Sequence, residues 1–253
     1  MKENALELYN QGYYYYTGTN DFPLNHKKAI EYFIKAAELG ETNAMNYLGV
    51  FYENGRGVSK DMKKAAEWYY KAFKANPNNP YPAYNLGRFY YSGEGVPKNV
   101  DKAYQLFNRV VEYGKSEDNT VYTQSCYYKG VIAMNEYYKY LEAGQCFLDV
   151  IRYENMPEAY HNLGFLLQKG HITMKKKQGS SALNALEYYE KAALLGYAPS
   201  MNCVAGIYST ILKDNRTARM WLNKAIELGY EPAKTTLKLL NMSESGSVFD
   251  LFR

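Results

Sequence analysis

The chain has 253 residues, a formal net charge of +4, 29 tyrosines, three histidines and three cysteines. So small a positive excess does not indicate strong binding to nucleic-acid phosphates, and an odd number of cysteines at unrelated spacings (Cys126, Cys146, Cys203) is no disulfide framework. None of His26, His161 and His171 lies in a metal-ligand spacing such as His-Glu-x-x-His, no run approaches membrane-spanning length, and acidic residues stand where a leader peptide would be apolar. No metal, no cofactor, no membrane insertion and a cytoplasmic location are expected, although a chain that had lost a leader would look the same.

In chain order, an alanine recurs at 29, 65, 103, 143, 185 and 218. Each is followed after four residues by a bulky apolar side chain and after seven by a small or branched one. The units are Ala29-Phe33-Ala36, Ala65-Tyr69-Ala72, Ala103-Phe107-Val110, Ala143-Phe147-Val150, Ala185-Tyr189-Ala192 and Ala218-Leu222-Ala225, separated by 36, 38, 40, 42 and 33 residues. Periods in this range mark repeat arrays. Offsets of four and seven place the side chains on one helical stripe that a neighbouring helix can approach.

Upstream of each alanine helix an aromatic-rich stretch carries a glycine: Gly12, Gly49, Gly87, Gly130, Gly164 and Gly206. Glycine inside a helix costs about 1 kcal/mol relative to alanine, so six in one register predict that backbone meets backbone there. The second and third units continue through Gly55-Arg-Gly57-Val58 and Gly93-Glu-Gly95-Val96, turns that need positive φ. Asn76-Pro-Asn-Asn-Pro80 reads as a turn between units, and Gly40, Gly114, Gly196 and Gly229 as helix ends. Unit four has Lys129 before its glycine and lacks the glycine turn between Asn135 and Glu142. Unit five carries an insertion from Gly170 to Ser181 with the basic run Lys175-Lys176-Lys177, read as a solvated loop before an acidic-partner contact. Unit six lacks the turn and has Ala205 before its glycine. Pro232 followed by Ala233 to Leu240 predicts a closing helix that covers the last apolar surface.

The pattern Ala-x-x-x-Leu-Gly, Tyr, Gly-x-Gly-Val, Lys-Ala, Trp-Tyr and Lys-Ala-Ala-x-x-Gly, present in Ala44 to Gly57, Lys64-Ala65, Trp68-Tyr69 and Lys71-Ala72, resembles the Sel1-like repeat (SLR) proteins of the tetratricopeptide superfamily. Lys35-Ala36-Ala37-Glu-Leu-Gly40 and Lys191-Ala192-Ala193-Leu-Leu-Gly196 repeat its last part, and the likeness runs from about residue 5 to 242. It implies an all-α, right-handed α-α superhelical solenoid of about six helix pairs and a capping helix. The organisation expected is one solenoid over 1–242, with units at about 5–40, 41–76, 80–114, 121–155, 156–196 and 197–229, a cap at 230–242, and a flexible tail at 243–253.

In tetratricopeptide-like arrays the first helix of each pair lines a concave groove. The resemblance then points, relative to each glycine, to Tyr9, Tyr13 and Tyr16; Asn46, Val50, Glu53 and Asn54; Tyr84, Arg88, Tyr91 and Ser92; Tyr127, Val131, Met134 and Asn135; and His161, Phe165, Gln168 and Lys169. Tyrosine offers contact area at little entropic cost and asparagine pairs with peptide backbone, so an extended peptide suits this surface. Arg88, between Tyr84 and Tyr91, is the candidate for gripping a carboxylate. The opposing reading, equally weighted for any one residue, is that these side chains pack against the adjacent helix or a dimer partner.

No nucleophile motif or phosphate-binding loop is present, so the expectation is a non-catalytic adaptor, of bacterial type, that binds a protein or peptide partner. The alternatives are a single-stranded RNA binder using the tyrosines as stacking platforms, against which the weak net charge argues, and an enzyme-inhibiting binding protein. The segment Val248-Phe249-Asp250-Leu251-Phe252-Arg253 ends the chain on an apolar tip. Phe249, Leu251 and Phe252 are expected either to be disordered, to fold back on the cap, or to dock in a groove and support self-association.

Overall fold

The computed structural model describes residues 4–19, 21–114, 119–173 and 180–244, and among them it holds thirteen α-helices and no strand. Six pairs form: α1 (Ala5–Thr17) with α2 (His26–Glu38), α3 (Thr42–Asn54) with α4 (Met62–Ala75), α5 (Pro80–Ser92) with α6 (Val100–Tyr113), α7 (Thr120–Asn135) with α8 (Tyr140–Tyr153), α9 (Pro157–Gln168) with α10 (Ser181–Leu194), and α11 (Ala198–Thr210) with α12 (Asn215–Glu227). The closing helix is α13 (Pro232–Glu244). This is the all-α helix-pair solenoid class expected from the repeat. The chain divides into two compact units, residues 1–129 and 130–253, with the boundary inside α7. Lys175–Lys177 and the tail residues Phe249, Leu251 and Phe252 lie outside the described residues.

The alanine stripes do what their spacing demands. Ala29, Ala65, Ala103, Ala143, Ala185 and Ala218 are all fully enclosed, and so are the rings four residues on: Phe33, Tyr69, Phe107, Phe147 and Tyr189. Each ring stabilises by roughly 1.5–3 kcal/mol through burial. The glycines, however, mark first a ring meeting backbone; only at Gly12 does a backbone atom, the Ala29 carbonyl oxygen at 3.2 Å, stand among the nearest neighbours. A Cβ built on Gly12, Gly87, Gly130 or Gly164 would stand 2.8, 2.8, 2.9 and 2.9 Å from the ring of Phe33, Phe107, Phe147 and Tyr189, and on Gly49 2.5 Å from Tyr69. Each glycine is a seat for the aromatic ring of its partner helix, and burial of that ring offsets the helix-propensity cost.

Repeat six corrects the register. A Cβ on Gly206 would meet nothing within 4 Å, whereas Ala205 is enclosed, at 1 % exposure. The backbone settles the alignment. The residue three after the seat accepts a hydrogen bond from the cap of the next helix: Tyr52 O from Asp61 N, Tyr90 O from Asn99 N and Tyr208 O from Asp214 N. Tyr208 is three after Ala205, so Ala205 occupies the glycine position. Opposite it the ring has become Leu222, and both line a hollow of about 220 Å³ beside Gly206 and α13. Alanine with leucine replaces glycine with ring. By the same alignment α13 is a seventh first helix, nine residues after Gly229, with Lys238 in the seat. A lysine there leaves no seat for a ring of the glycine-pocket kind.

The second helices start on side-chain caps. Asn25, Asp61, Asn99 and Asp214 accept hydrogen bonds from the amides of Lys28, Lys64, Lys102 and Thr217 at 3.0, 3.0, 2.9 and 3.0 Å, each contributing about 1 kcal/mol. Repeat four has Lys139 at that place and no side-chain cap bond. The turn before the cap needs positive φ eight residues after the seat. Gly57 and Gly95 supply it in repeats two and three, and Tyr138 (φ 54°) and Lys213 (φ 58°) are forced into it in repeats four and six.

Candidate functional site

The first helices of unit 1 are tied to one another by side chains at the repeat spacing. Arg56 Nη1 donates to Tyr16 Oη at 2.8 Å, Asn79 Nδ2 to Asn43 Oδ1 at 3.0 Å, Asn85 Nδ2 to Asn46 Oδ1 at 3.1 Å, and Arg88 Nη2 to Glu53 Oε1 at 2.7 Å. Rings fill the space between these links. Tyr47 of α3 stacks on Phe33 and receives Tyr9, Tyr13 and Tyr16 of α1 at 6.0, 5.9 and 5.3 Å between ring centres. Tyr128 of α7 repeats the arrangement, stacked on Phe107 at 5.0 Å with Tyr84 and Tyr91 of α5 around it at 6.4 and 5.4 Å. Tyr127 also meets Tyr128, at 5.8 Å.

Glu53 is the centre of a closed network rather than a free contact residue. Its second oxygen accepts the Tyr69 hydroxyl at 2.5 Å, while Arg88 holds the first and lies 5.4 Å from the Tyr84 ring. Burial first, and then the neighbouring carboxylate, keep the Tyr69 phenol protonated far above its ordinary range. The carboxylate that Arg88 was expected to draw from a partner is supplied from within the chain. Arg88 remains partly exposed, while its Nε is enclosed and has no hydrogen-bond partner among the described residues. Its charge is balanced by Glu53.

A rule links this network to the seats. Where the enclosed ring is tyrosine (Tyr69, Tyr189), the residue four after the seat is an acceptor, Glu53 or Gln168, and the hydroxyl binds it at 2.5 or 2.9 Å. Where the ring is phenylalanine (Phe33, Phe107, Phe147), that residue is Tyr16, Tyr91 or Met134. A buried hydroxyl needs an acceptor and a phenyl ring does not. This pairing was readable in the sequence, and reading residues by groove offset alone missed it.

In unit 2, His161 of α9 stands 2.8 Å from Ser200 Oγ of α11, with Tyr189 and Tyr197 against its ring. Burial pushes its pKa down to about 4, so the imidazole is neutral near pH 7. A histidine beside a serine resembles a nucleophile pair, but Ser200 is fully enclosed and no substrate reaches it. Phe165, on the same helix, is 36 % exposed with Lys169 Nζ 5.8 Å from its ring. Asn135 is exposed at the end of α7, and none of the hydrogen bonds described here joins it to the other candidates.

The predicted residues therefore sort into two groups. Glu53, Arg88, Tyr84, Tyr16 and His161 are joined into inter-repeat links, and Tyr91 and Tyr127 lean on rings of their own unit. Tyr13, at 38 % exposure, Asn135 and Phe165 present open surface, and Asn46 is half-buried with its Oδ1 engaged. Among the described residues no three His, Cys, Asp or Glu side chains are grouped to hold a metal, and no helix is long and apolar enough to cross a membrane.

Comparison with known proteins agrees with this geometry. The Sel1 repeat pattern matches residues 8–41, 42–77, 83–109, 157–197 and 205–230. It passes over repeat four, the one with neither glycine turn nor side-chain cap. A Sel1 repeat protein from Oxalobacter formigenes superposes with a TM-score of 0.65 at 27% identity, over 88% of this chain and 85% of that one. A protective antigen of uropathogenic Escherichia coli with an SLR fold superposes with a TM-score of 0.58 at 22% identity, over 94% and 57%. Among curated proteins, the HRD3A component of an ERAD-associated E3 ubiquitin ligase of Arabidopsis thaliana is 39% identical over 57 residues, 22% of this chain and only 8% of the plant protein. With more than half of its residues matched, the chain belongs to the Sel1 repeat family.

Proposed function

We propose that this chain is a non-catalytic scaffold that holds a partner protein, through an extended segment of it, on the face made by the first helices of its pairs. Sel1 repeat proteins generally mediate protein–protein interaction. The observation that carries the finer reading is the inter-repeat bonding of that face. A partner meets side chains whose rotamers are already held, so little entropy is lost on docking. In unit 1 the contact residues are Tyr13, Tyr16, Asn46, Tyr84, Arg88, Tyr91 and Tyr127. In unit 2 they are Asn135, His161 and Phe165. Glu53 serves by holding Arg88. With the Arg88 charge balanced by Glu53, the face suits backbone carbonyls and apolar or aromatic side chains rather than a phosphate chain, which favours protein over RNA.

The test is site-directed photo-crosslinking in the native host lysate. A crosslinking residue at Tyr13 or Tyr91 should trap a discrete protein, and one at Glu31 or Leu141 on second helices should not. Crosslinks that form at Glu31 and Leu141 but not at Tyr13 or Tyr91 would contradict the assignment. Crosslinks to RNA would replace it by the nucleic-acid reading.

A further inference from the structure

A second surface lies on the opposite helices of unit 1. Three residues after each second-helix alanine stand Tyr32, Trp68, Leu106, Cys146, Tyr188 and Trp221. In repeats one, two, five and six this side chain is aromatic, and in repeats one, two and six a lysine three residues further on covers it: Lys35 on Tyr32 at 5.9 Å, Lys71 on Trp68 at 4.3 Å, Lys224 on Trp221 at 4.9 Å. Trp68 reaches back onto the core shared by α2 and α3, filling the furrow in front of its own helix. Repeat three has the cation, Arg109, but leucine in place of the ring. Arg109 lies instead 5.8 Å from Phe73, on the far wall.

The furrow between α4 and α6 is accordingly open. A cleft of about 440 Å³ is walled by Tyr70, Phe73, Leu86, Tyr90 and Leu106, and a second hollow of about 440 Å³ shares Tyr70, Leu86 and Tyr90 with it. Both are of a size that accepts ligand-sized groups. Lys102 stands where the two hollows join, exposed, 5.0 Å from the Tyr90 ring and paired with no carboxylate among the described residues. Lys63 lines the second hollow. The carboxylates at the rim are Glu112, which accepts from Asn108 at 2.7 Å, and Glu67. The cleft therefore lacks an aromatic ring that repeats one, two, five and six carry at this position, and beside that gap is an ammonium paired with no carboxylate among the described residues.

Of the segments outside the described residues, one carries the matching groups, a carboxylate set among bulky apolar side chains: Ser247-Val-Phe249-Asp250-Leu251-Phe252-Arg253. We propose that the α4/α6 cleft is the docking site of this segment, with a phenylalanine ring beside Leu106, in the place that Trp68 and Trp221 fill in their own repeats, and the Asp250 carboxylate on Lys102. This site is separate from the first-helix face and does not depend on the function proposed for it.

The probe is the fluorescently labelled peptide Ser-Val-Phe-Asp-Leu-Phe-Arg. The receptor is the full chain carrying Phe249→Ser and Phe252→Ser, so that its own segment does not compete. Saturable binding by anisotropy is expected. Leu106→Trp, which supplies the missing ring, should weaken it at least about tenfold while circular dichroism and the melting temperature stay close to those of the receptor. Lys102→Glu, an exposed change, should weaken it several-fold, and an Asp250→Lys peptide should recover part of that loss. No saturable binding, or equal binding by the Leu106→Trp receptor, overturns the proposal, as does a Lys102→Glu loss that the charge-reversed peptide leaves unchanged.

Discussion

Repeats two and three differ from repeats four and six in the features that define the motif, yet all four build the same helix pair. Repeats two and three have glycine in the left-handed turn, an Asn or Asp cap and glycine under a ring. Repeat four keeps only the seat, Gly130 under Phe147, and places Tyr138 at φ 54°. Repeat six keeps the cap, places Lys213 at φ 58° and exchanges glycine and ring for Ala205 and Leu222. The repeat is thus a set of pairings, each of which can be met by more than one choice of residues.

The comparison can be broken most sharply at Gly95. A Cβ there would run into the Met62 carbonyl, and its φ of +69° already disfavours an L residue, so Gly95→Ala should cost more than about 4 kcal/mol or prevent folding. At the matching position of repeat six the chain carries Lys213, at φ 58°. Urea titration with far-ultraviolet dichroism reads the difference.

Glu53→Ala comes next. It leaves the Tyr69 hydroxyl and the Arg88 guanidinium without their acceptor, at an expected cost of roughly 2–4 kcal/mol. Adding Tyr69→Phe should recover part of that loss, because phenylalanine rings elsewhere in the array need no acceptor.

The His161 link gives a pH dependence. Its pKa is about 4 in the fold and about 6.5 unfolded, so the unfolded chain takes up the proton first. Stability is lost as pH falls from about 6.5 to 4, by on the order of 1–3 kcal/mol. His161→Phe should remove that contribution from a melting-temperature profile over pH 4–7. The smallest effect is expected at Lys213: Lys213→Gly relieves left-handed strain and should stabilise by about 0.5–1 kcal/mol.

Much of the fold was legible because its signals are local: alanine and ring spacing, glycine turns, and the proline stretch that separates α4 from α5. The register of repeat six was misread because Gly206 looks like the seat. The spacing of nine residues from Gly40 to Gly49, counted again from Gly196, selects Ala205 instead. The glycines were read as backbone contacts because sequence shows that a side chain must be absent, not what fills its space. The Glu53–Arg88 link was hidden for a different reason, since both residues met the rule for a partner-facing position and only three dimensions show them facing each other.

The pairing account is tested most directly by a double-mutant cycle at Gly87 and Phe107, where no hydroxyl complicates the ring. Gly87→Ala drives a Cβ against the Phe107 ring, and Phe107→Leu leaves a void above the glycine, so each alone should destabilise by roughly 1–4 kcal/mol. Together they recreate the Ala205/Leu222 pairing of repeat six, and the account predicts a double variant at least about 1 kcal/mol more stable than the sum of the single changes. Strict additivity would contradict it.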